Sequence, residues 1–269
     1  MLKFSMSKLR HVAHKVASIL STEPENRSAE LVTKEYDQGA WLRQLRRVHE
    51  YTSLEEYLFE GNQFLKLCRP GTYRTQLIPM SDYLRAKAGL LQNLLNPYSS
   101  VCELGCGAGW NLIAMRFLGF QGPLSGVDIS PVGIQVVEEA NAKWDLNINC
   151  VVGDISSKQT FSTELVQNSD CIFSFLALEQ LPRESFHTLT FIRELLGEKK
   201  VFLLESSSGV FPFHYSEILT GIYTKKRDYL RTMRAYLDEL SISYRIKRLN
   251  FSPSVGNDVV LWELLPDSN

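Results

Sequence analysis

The chain has 269 residues, 44% hydrophobic and 22% charged, with a formal net charge of -1. That length fits one α/β domain or a core with an appendage, and the near-neutral balance gives no support for the large basic footprint of a nucleic-acid binder. No uninterrupted apolar run is long enough to suggest a transmembrane helix.

The first segment is basic. Lys3, Lys8, Arg10 and Lys15 all precede the first acid, Glu23, and Leu2, Met6, Leu9, Ala13, Val16 and Leu20 recur at helical spacing. Residues 1–22 therefore read as an amphipathic helix. Its stripe packs on the protein's own core or, alternatively, makes peripheral contact with an anionic membrane surface at the inner face. Ser21 to Ser28 is polar, contains Pro24 and reads as a linker. Residues 29–68 read as helical with breaks near Gly39 and Gly61, and Arg69-Pro70-Gly71 as a turn. Residues 75–95 read as a further helix that ends before the helix-to-strand turn at Asn96-Pro97-Tyr98. Residues 1–97 thus form a helical cap or lid region ahead of a core at 98–269. Within the cap, Tyr36 and Trp41 read as packed aromatics, with a lid role as the alternative.

From residue 99 the pattern alternates between strands and helices, which predicts a mostly parallel sheet. Strands are expected at 99–103, 123–128, 148–152, 170–175 and 200–205, and helices at 109–118, 131–145, 183–196 and 224–240. Two tail strands, 243–250 and 257–265, can pair as a hairpin. Five cysteines without a C-x-x-C spacing point to a reduced, cytoplasmic setting without disulfides. No Cys/His pairing completes a metal site, so no metal is expected.

Chemistry concentrates in four strand ends. Val101-Cys102-Glu103-Leu104-Gly105-Cys106-Gly107-Ala108-Gly109 is a buried strand ending in an acid, followed by glycines on alternate positions. Glycines at 105 and 107 permit close approach of the backbone to a ligand. A dinucleotide fingerprint would place its third glycine where this chain has Trp110. Leu124-Ser125-Gly126-Val127-Asp128-Ile129 ends in a second acid, about 20 residues beyond the glycines, where a carboxylate can accept ribose hydroxyls. Ser130 before Pro131 is the better helix cap, which leaves Asp128 for the ligand. Val151-Val152-Gly153-Asp154-Ile155 ends in a third acid, again just after an apolar strand. The strand Asp170-Cys171-Ile172-Phe173-Ser174-Phe175 leads into Leu176-Ala177-Leu178-Glu179-Gln180.

Together these segments resemble the class I S-adenosylmethionine-dependent methyltransferases over residues 99–182. The resemblance implies an α/β fold: a doubly wound Rossmann-like sheet, mostly parallel, with an antiparallel C-terminal strand pair and an N-terminal helical cap. It implies S-adenosyl-L-methionine as cofactor, held by Glu103, Gly105, Cys106, Gly107, Gly109, Asp128, Ile129, Asp154, Ile155 and Phe173. Arg74, beside Tyr73, would close over the methionine end. Glu103 would take the cofactor's ammonium and the turn's amides its carboxylate.

The acceptor half is read from Glu205, which ends the strand Val201-Phe202-Leu203-Leu204 and should face the substrate cleft. His214 and Glu179 are the other candidate bases; related enzymes carry histidine where this chain has Gln180, which cannot act as one. An insert at about 206–240 interleaves aromatics and bases, and Tyr215, Tyr223, Lys225, Arg227 and Tyr229 are its candidate substrate contacts. The expected reaction is metal-independent methyl transfer to an oxygen or nitrogen of a small-molecule or glycan acceptor, with no nucleic acid favoured. A protein or RNA acceptor and a non-catalytic cofactor-binding subunit are the alternatives; the oligomeric state is open.

Overall fold

A computed structural model describes residues 28–60, 64–68, 75–181, 187–206, 233–249 and 259–266. The basic segment 1–22, Tyr73, Arg74 and most of the aromatic insert lie outside the described residues. Among the described residues, no helix is long and apolar enough to cross a membrane.

The cap begins with helix α1 (Ala29–Glu35), whose first amides are capped by Ser28. The chain does not break at Gly39. It widens into a π-helical turn, Tyr36–Trp41, and continues as α2 (Leu42–Glu50). A π turn brings residues five apart above one another. The rings of Tyr36 and Trp41 accordingly stack, with centroids 5.3 Å apart and an interplanar angle of 18°. Helix α3 (Leu54–Phe59) starts at a capping box formed by Ser53 and Glu56.

The cap is not wholly helical as expected. Residues 64–68 and 75–79 form strands β1 (Phe64–Cys68) and β2 (Thr75–Pro79), paired antiparallel with Phe64 opposite Pro79 and Cys68 opposite Thr75. Their short apolar runs fit a strand or a helical turn equally well, and only pairing across residues 69–74 decides between them. Helix α4 (Met80–Leu95) therefore starts five residues later than expected, directly after Pro79. Proline is tolerated there because the first helical amides need no partner within the helix.

The core strands are β3 (Val101–Leu104), β4 (Leu124–Asp128), β5 (Ile148–Val152), β6 (Cys171–Phe175), β7 (Lys200–Ser206), β8 (Tyr244–Arg248) and β9 (Val259–Leu264). They form one sheet in the order β5-β4-β3-β6-β7-β9-β8. The first five are parallel, and β9 runs antiparallel to both β7 and β8. The expected tail hairpin thus forms and inserts its second strand beside β7. Helices α5 (Trp110–Phe117), α6 (Pro131–Trp144), α9 (Thr188–Leu195) and α10 (Met233–Glu239) match the expected alternation, and two single-turn helices, α7 (Lys158–Phe161) and α8 (Glu164–Gln167), add to it.

Side chains alternate across the sheet as the pleat requires. Val101, Cys171 and Phe173 join one apolar cluster, with α4, α5 and α6; Cys102, Leu104 and Ile172 join the other, with α9 and α10. The cap seals the first cluster. Trp110 Nε1 donates to the Leu58 carbonyl at 3.2 Å, and Lys143 Nζ donates to the carbonyls of Val48, His49 and Tyr51 at the end of α2.

One clamp at the opposite end of the sheet was not legible beforehand. The half-buried Arg116 guanidinium donates to the carbonyls of Leu146 at 2.8 Å, Gly122 at 3.0 Å and Asn147 at 3.3 Å, and also to Phe120. It ties the loop before β4 to the loop before β5. Arg116→Ala is expected to destabilise the fold by about 2–3 kcal/mol, the size of a lost charge-assisted bond plus orphaned carbonyls. Urea denaturation checks this; a change within about 0.5 kcal/mol, typical of an ordinary surface site, would show the clamp to be idle.

Candidate active site

The sheet winds outward from β3 in both directions, through β4 and β5 on one side and β6 and β7 on the other. Such a reversal opens a crevice at the carboxyl ends of the strands, and the glycine turn occupies it. Gly107 has φ 55°, and a Cβ there would lie 2.6 Å from Cζ2 of Trp41. Glycine is thus required both by the left-handed backbone and by the cap ring laid over it. At Gly109, with φ 68°, a Cβ would lie 2.5 Å from a Val137 methyl of α6. Gly109 serves helix packing and does not line the cavity, against its expected role as a cofactor contact.

The turn's amides look mostly inward. Those of Gly105 and Cys106 donate to the Val127 carbonyl at 2.7 and 3.1 Å, and that of Gly109 to Cys106 at 2.9 Å. The Gly107 amide donates to Asp128 Oδ2 at 2.7 Å. These four amides hold the turn, which leaves the Ala108 amide and the first amides of α5 as the turn's remaining donors toward the cavity among the described residues. Ser130 caps α6 as expected, accepting from Gly133 at 2.8 Å.

A cavity of about 960 Å³ lies between this turn and the cap. Glu103, Gly105, Cys106, Gly107, Asp128, Ile129, Asp154 and Ile155 all line it, as do Tyr36 and Trp41 of the cap. Glu103 is 1% exposed, and Asn111 Nδ2 donates to its Oε1. Its Oε2, and Asn111 Oδ1, have no partner among the described residues. Burial pushes the Glu103 carboxyl well above the usual range, against the Asn111 bond and the Lys87 charge that favour ionisation. Asp128 Oδ1 accepts from the Ser130 amide at 2.9 Å, and burial raises its carboxyl too, opposed by the bonds from Ser130 and Gly107. Asp154 Oδ1 accepts from the Ser156 amide at 2.8 Å. Each of these aspartates keeps lone pairs for a ligand.

The end of β6 forms the next wall. Phe175, Leu176, Ala177 and Gln180 line the cavity. Phe173, expected to touch the cofactor, is fully buried and absent from the wall; it lies two residues deeper in the strand, on the same face as Phe175. Leu176 has φ 54°, a conformation rare for a leucine and typical of positions the surroundings impose. Its neighbours show how it is imposed. Glu205 accepts from Ser174 Oγ at 2.5 Å and from the amides of Ala177, Leu178 and Glu179 at 3.2–3.3 Å. Gln180 Nε2 donates to the Leu176 carbonyl at 2.7 Å, and its Oε1 accepts from Tyr36 of the cap.

Two expected bases are thereby corrected. Glu205 does not face the cleft: it is 1% exposed, and both its oxygens hold the turn after β6. Burial raises its carboxyl to about 7, against the four donors that hold the charge. Glu179 is buried behind the same turn and does not line the cavity. His214, Tyr215, Tyr223, Lys225, Arg227 and Tyr229 lie outside the described residues.

Sequence reasoning missed Lys87. It stands on the cavity face of α4 with Met80, Tyr83 and Leu84, a spacing that puts all four on one side of the helix. Its Nζ lies 4.5 Å from the Trp110 ring centre and 4.3 Å from that of Phe175. The signal was a lysine on an otherwise apolar helical stripe.

Comparison with known proteins agrees with this geometry. A family model described as a methyltransferase domain matches residues 95–239, more than half of the chain. A search of curated proteins returns no match. Among solved structures, magnesium protoporphyrin IX methyltransferase from Synechocystis PCC 6803 with bound S-adenosylhomocysteine aligns with a TM-score of 0.54 at 13% identity, over 89% of this chain and 100% of that one. Human N-acetylserotonin methyltransferase in complex with S-adenosylmethionine aligns with a TM-score of 0.57 at 13% identity, over 97% of this chain and 68% of that one. At such identity these alignments speak for the fold. With the family match over the core and the three strand-end acids gathered around one cavity, the chain belongs to the methyltransferase domain family and is a class I S-adenosylmethionine-dependent methyltransferase.

Proposed function

We propose that the enzyme methylates an oxygen or nitrogen of a small-molecule or glycan acceptor. The observation that carries this reading is the cap: Trp41 over Gly107, and Tyr36 bonded to Gln180, roof the cavity with the protein's own side chains. A volume of about 960 Å³ is at the upper end for small-molecule sites, which suits a cofactor together with a modest acceptor. A roofed chamber suits such an acceptor better than a long polymer does.

The residues present fit the cofactor. Glu103 Oε2 and Asn111 Oδ1 are buried acceptors that an ammonium would satisfy. Asp128 would accept the ribose hydroxyls, and Asp154 with the Ile155 amide would meet the adenine. When bound, the cofactor supplies a methyl group on a sulfonium, already activated for displacement, so no Lewis acid is needed in this reading. The protein's share is then orientation. Phe175, Leu176 and Ala177, fixed from behind by Glu205, would form the wall against which the acceptor is aligned, and alignment of this kind can supply a large part of the rate.

The test uses methyl-labelled S-adenosylmethionine and fractionated cell extract. Label is expected in the small-molecule or glycan fraction. Label confined to protein or RNA would overturn the acceptor class while leaving the enzyme class intact.

A further inference from the structure

We propose that Lys87 holds a carboxylate at the amino-acid end of the cofactor, so that Lys87 and Glu103 together recognise a zwitterion; the inference rests on the cofactor assignment. Lys87 is half-buried on the cavity wall, with its ammonium between the faces of Trp110 and Phe175. It has no hydrogen-bond acceptor and no ion pair among the described residues. Ring faces steady a cation, yet they leave the three N–H donors of an ammonium unmet, and an unmet buried donor is costly.

The same cavity carries the complementary defects. Glu103 Oε2 and Asn111 Oδ1 are buried acceptors without a donor among the described residues. Lys87 and Glu103 feel each other's charge, but they form no direct contact. Two opposite charges left apart on one cavity wall fit a ligand that carries both charges on one carbon, inserted with its poles reversed: ammonium toward Glu103 and Asn111, carboxylate toward Lys87. Of the other charged side chains on the described cavity wall, Glu60, Asp128 and Asp154 carry the wrong sign for a carboxylate, and Arg47 is less available. Arg47 donates to the carbonyls of Tyr57 and Glu60 at 3.1 and 3.2 Å, while Asp128 and Asp154 accept from turn amides. Four amides of the glycine turn are engaged within the protein, and Lys87 brings to the carboxylate a full positive charge that the remaining Ala108 amide lacks.

The consequence is selectivity for a cofactor that retains its carboxylate. Calorimetry on the full chain would compare three ligands: S-adenosylhomocysteine, with both poles; its decarboxylated analogue S-adenosyl-3-thiopropylamine, with the ammonium alone; and 5′-methylthioadenosine, with neither. The wild-type protein is expected to bind the first about tenfold or more tighter than the second, the size of one charge-assisted bond. Lys87→Met should abolish most of that difference and leave methylthioadenosine within about twofold, the ordinary scatter of such a comparison. Lys87→Arg should restore part of it. Equal affinity of the wild-type protein for the first two ligands would overturn the proposal, and that arm needs no variant to fold. So would an equal loss for all three ligands in Lys87→Met, which would mark Lys87 as structural. Failure of the wild-type protein to bind any of the three would instead sink the cofactor assignment itself.

Discussion

Glu205→Ala is expected to lower the stability of the protein by about 3 kcal/mol or more and to weaken cofactor binding as well. The side chain is 1% exposed and accepts from the Ser174 hydroxyl and from three consecutive amides, those of Ala177, Leu178 and Glu179. Alanine leaves all four donors unmet, three of them buried, and breaking a buried charged network typically costs about 3–5 kcal/mol. Those bonds also hold Leu176 in its left-handed conformation at the cavity wall. Once they are gone, Leu176 relaxes toward the right-handed or extended region and the wall moves. Glu205→Gln keeps one carbonyl acceptor and should retain part of the stability. Urea denaturation of the three proteins, with S-adenosylhomocysteine affinity measured on each, checks this. An alanine variant as stable as wild type would show that water or neighbouring groups replace the carboxylate, and the positioning role would be withdrawn.

Asp128→Ala is expected to reduce affinity for S-adenosylhomocysteine by about 1.5–3 kcal/mol, roughly 10–150-fold. Two effects contribute. The carboxylate is lost to the ribose, and the Gly107 amide, now held at 2.7 Å, loses its partner and frees the turn. Asp128→Asn separates them. Its carbonyl oxygen can still accept from Gly107, while the amide nitrogen cannot accept from a hydroxyl or from the Ser130 amide. A ribose role predicts that asparagine weakens binding nearly as much as alanine while stability falls less. Unchanged affinity in both variants would remove Asp128 from the ligand site.

The glycine turn and the strand-end acids were legible because they are local. Glu103, Asp128 and Asp154 each follow an apolar run by fixed spacing, and in a parallel sheet every strand end of that kind falls on the same edge. The Ser130 cap before Pro131 was legible for the same reason. Gly109, Phe173, Glu179 and Glu205 were misassigned because strand-end position does not say which way a side chain points or who reaches it first. Glu205 does sit at a carboxyl end, but three amides of the turn after β6 consume it before any ligand can. Gly109 follows the pattern of its neighbours, yet Val137 of a different helix sets its role.

Taken alone, the sequence determined the order of the strands and helices of the core, the cofactor class through resemblance, and the acids that line the cavity, since these depend on periodicity and spacing within a few residues. Only the tertiary structure decided that residues 64–68 and 75–79 pair as strands, that Glu205 braces a turn, that Tyr36 and Gln180 join cap to core, and that Lys87 and Glu103 line one cavity. Each of these brings together residues that are not neighbours in the chain. The free energy of such a contact depends on what else is buried beside it, and no local pattern of residue types carries that information.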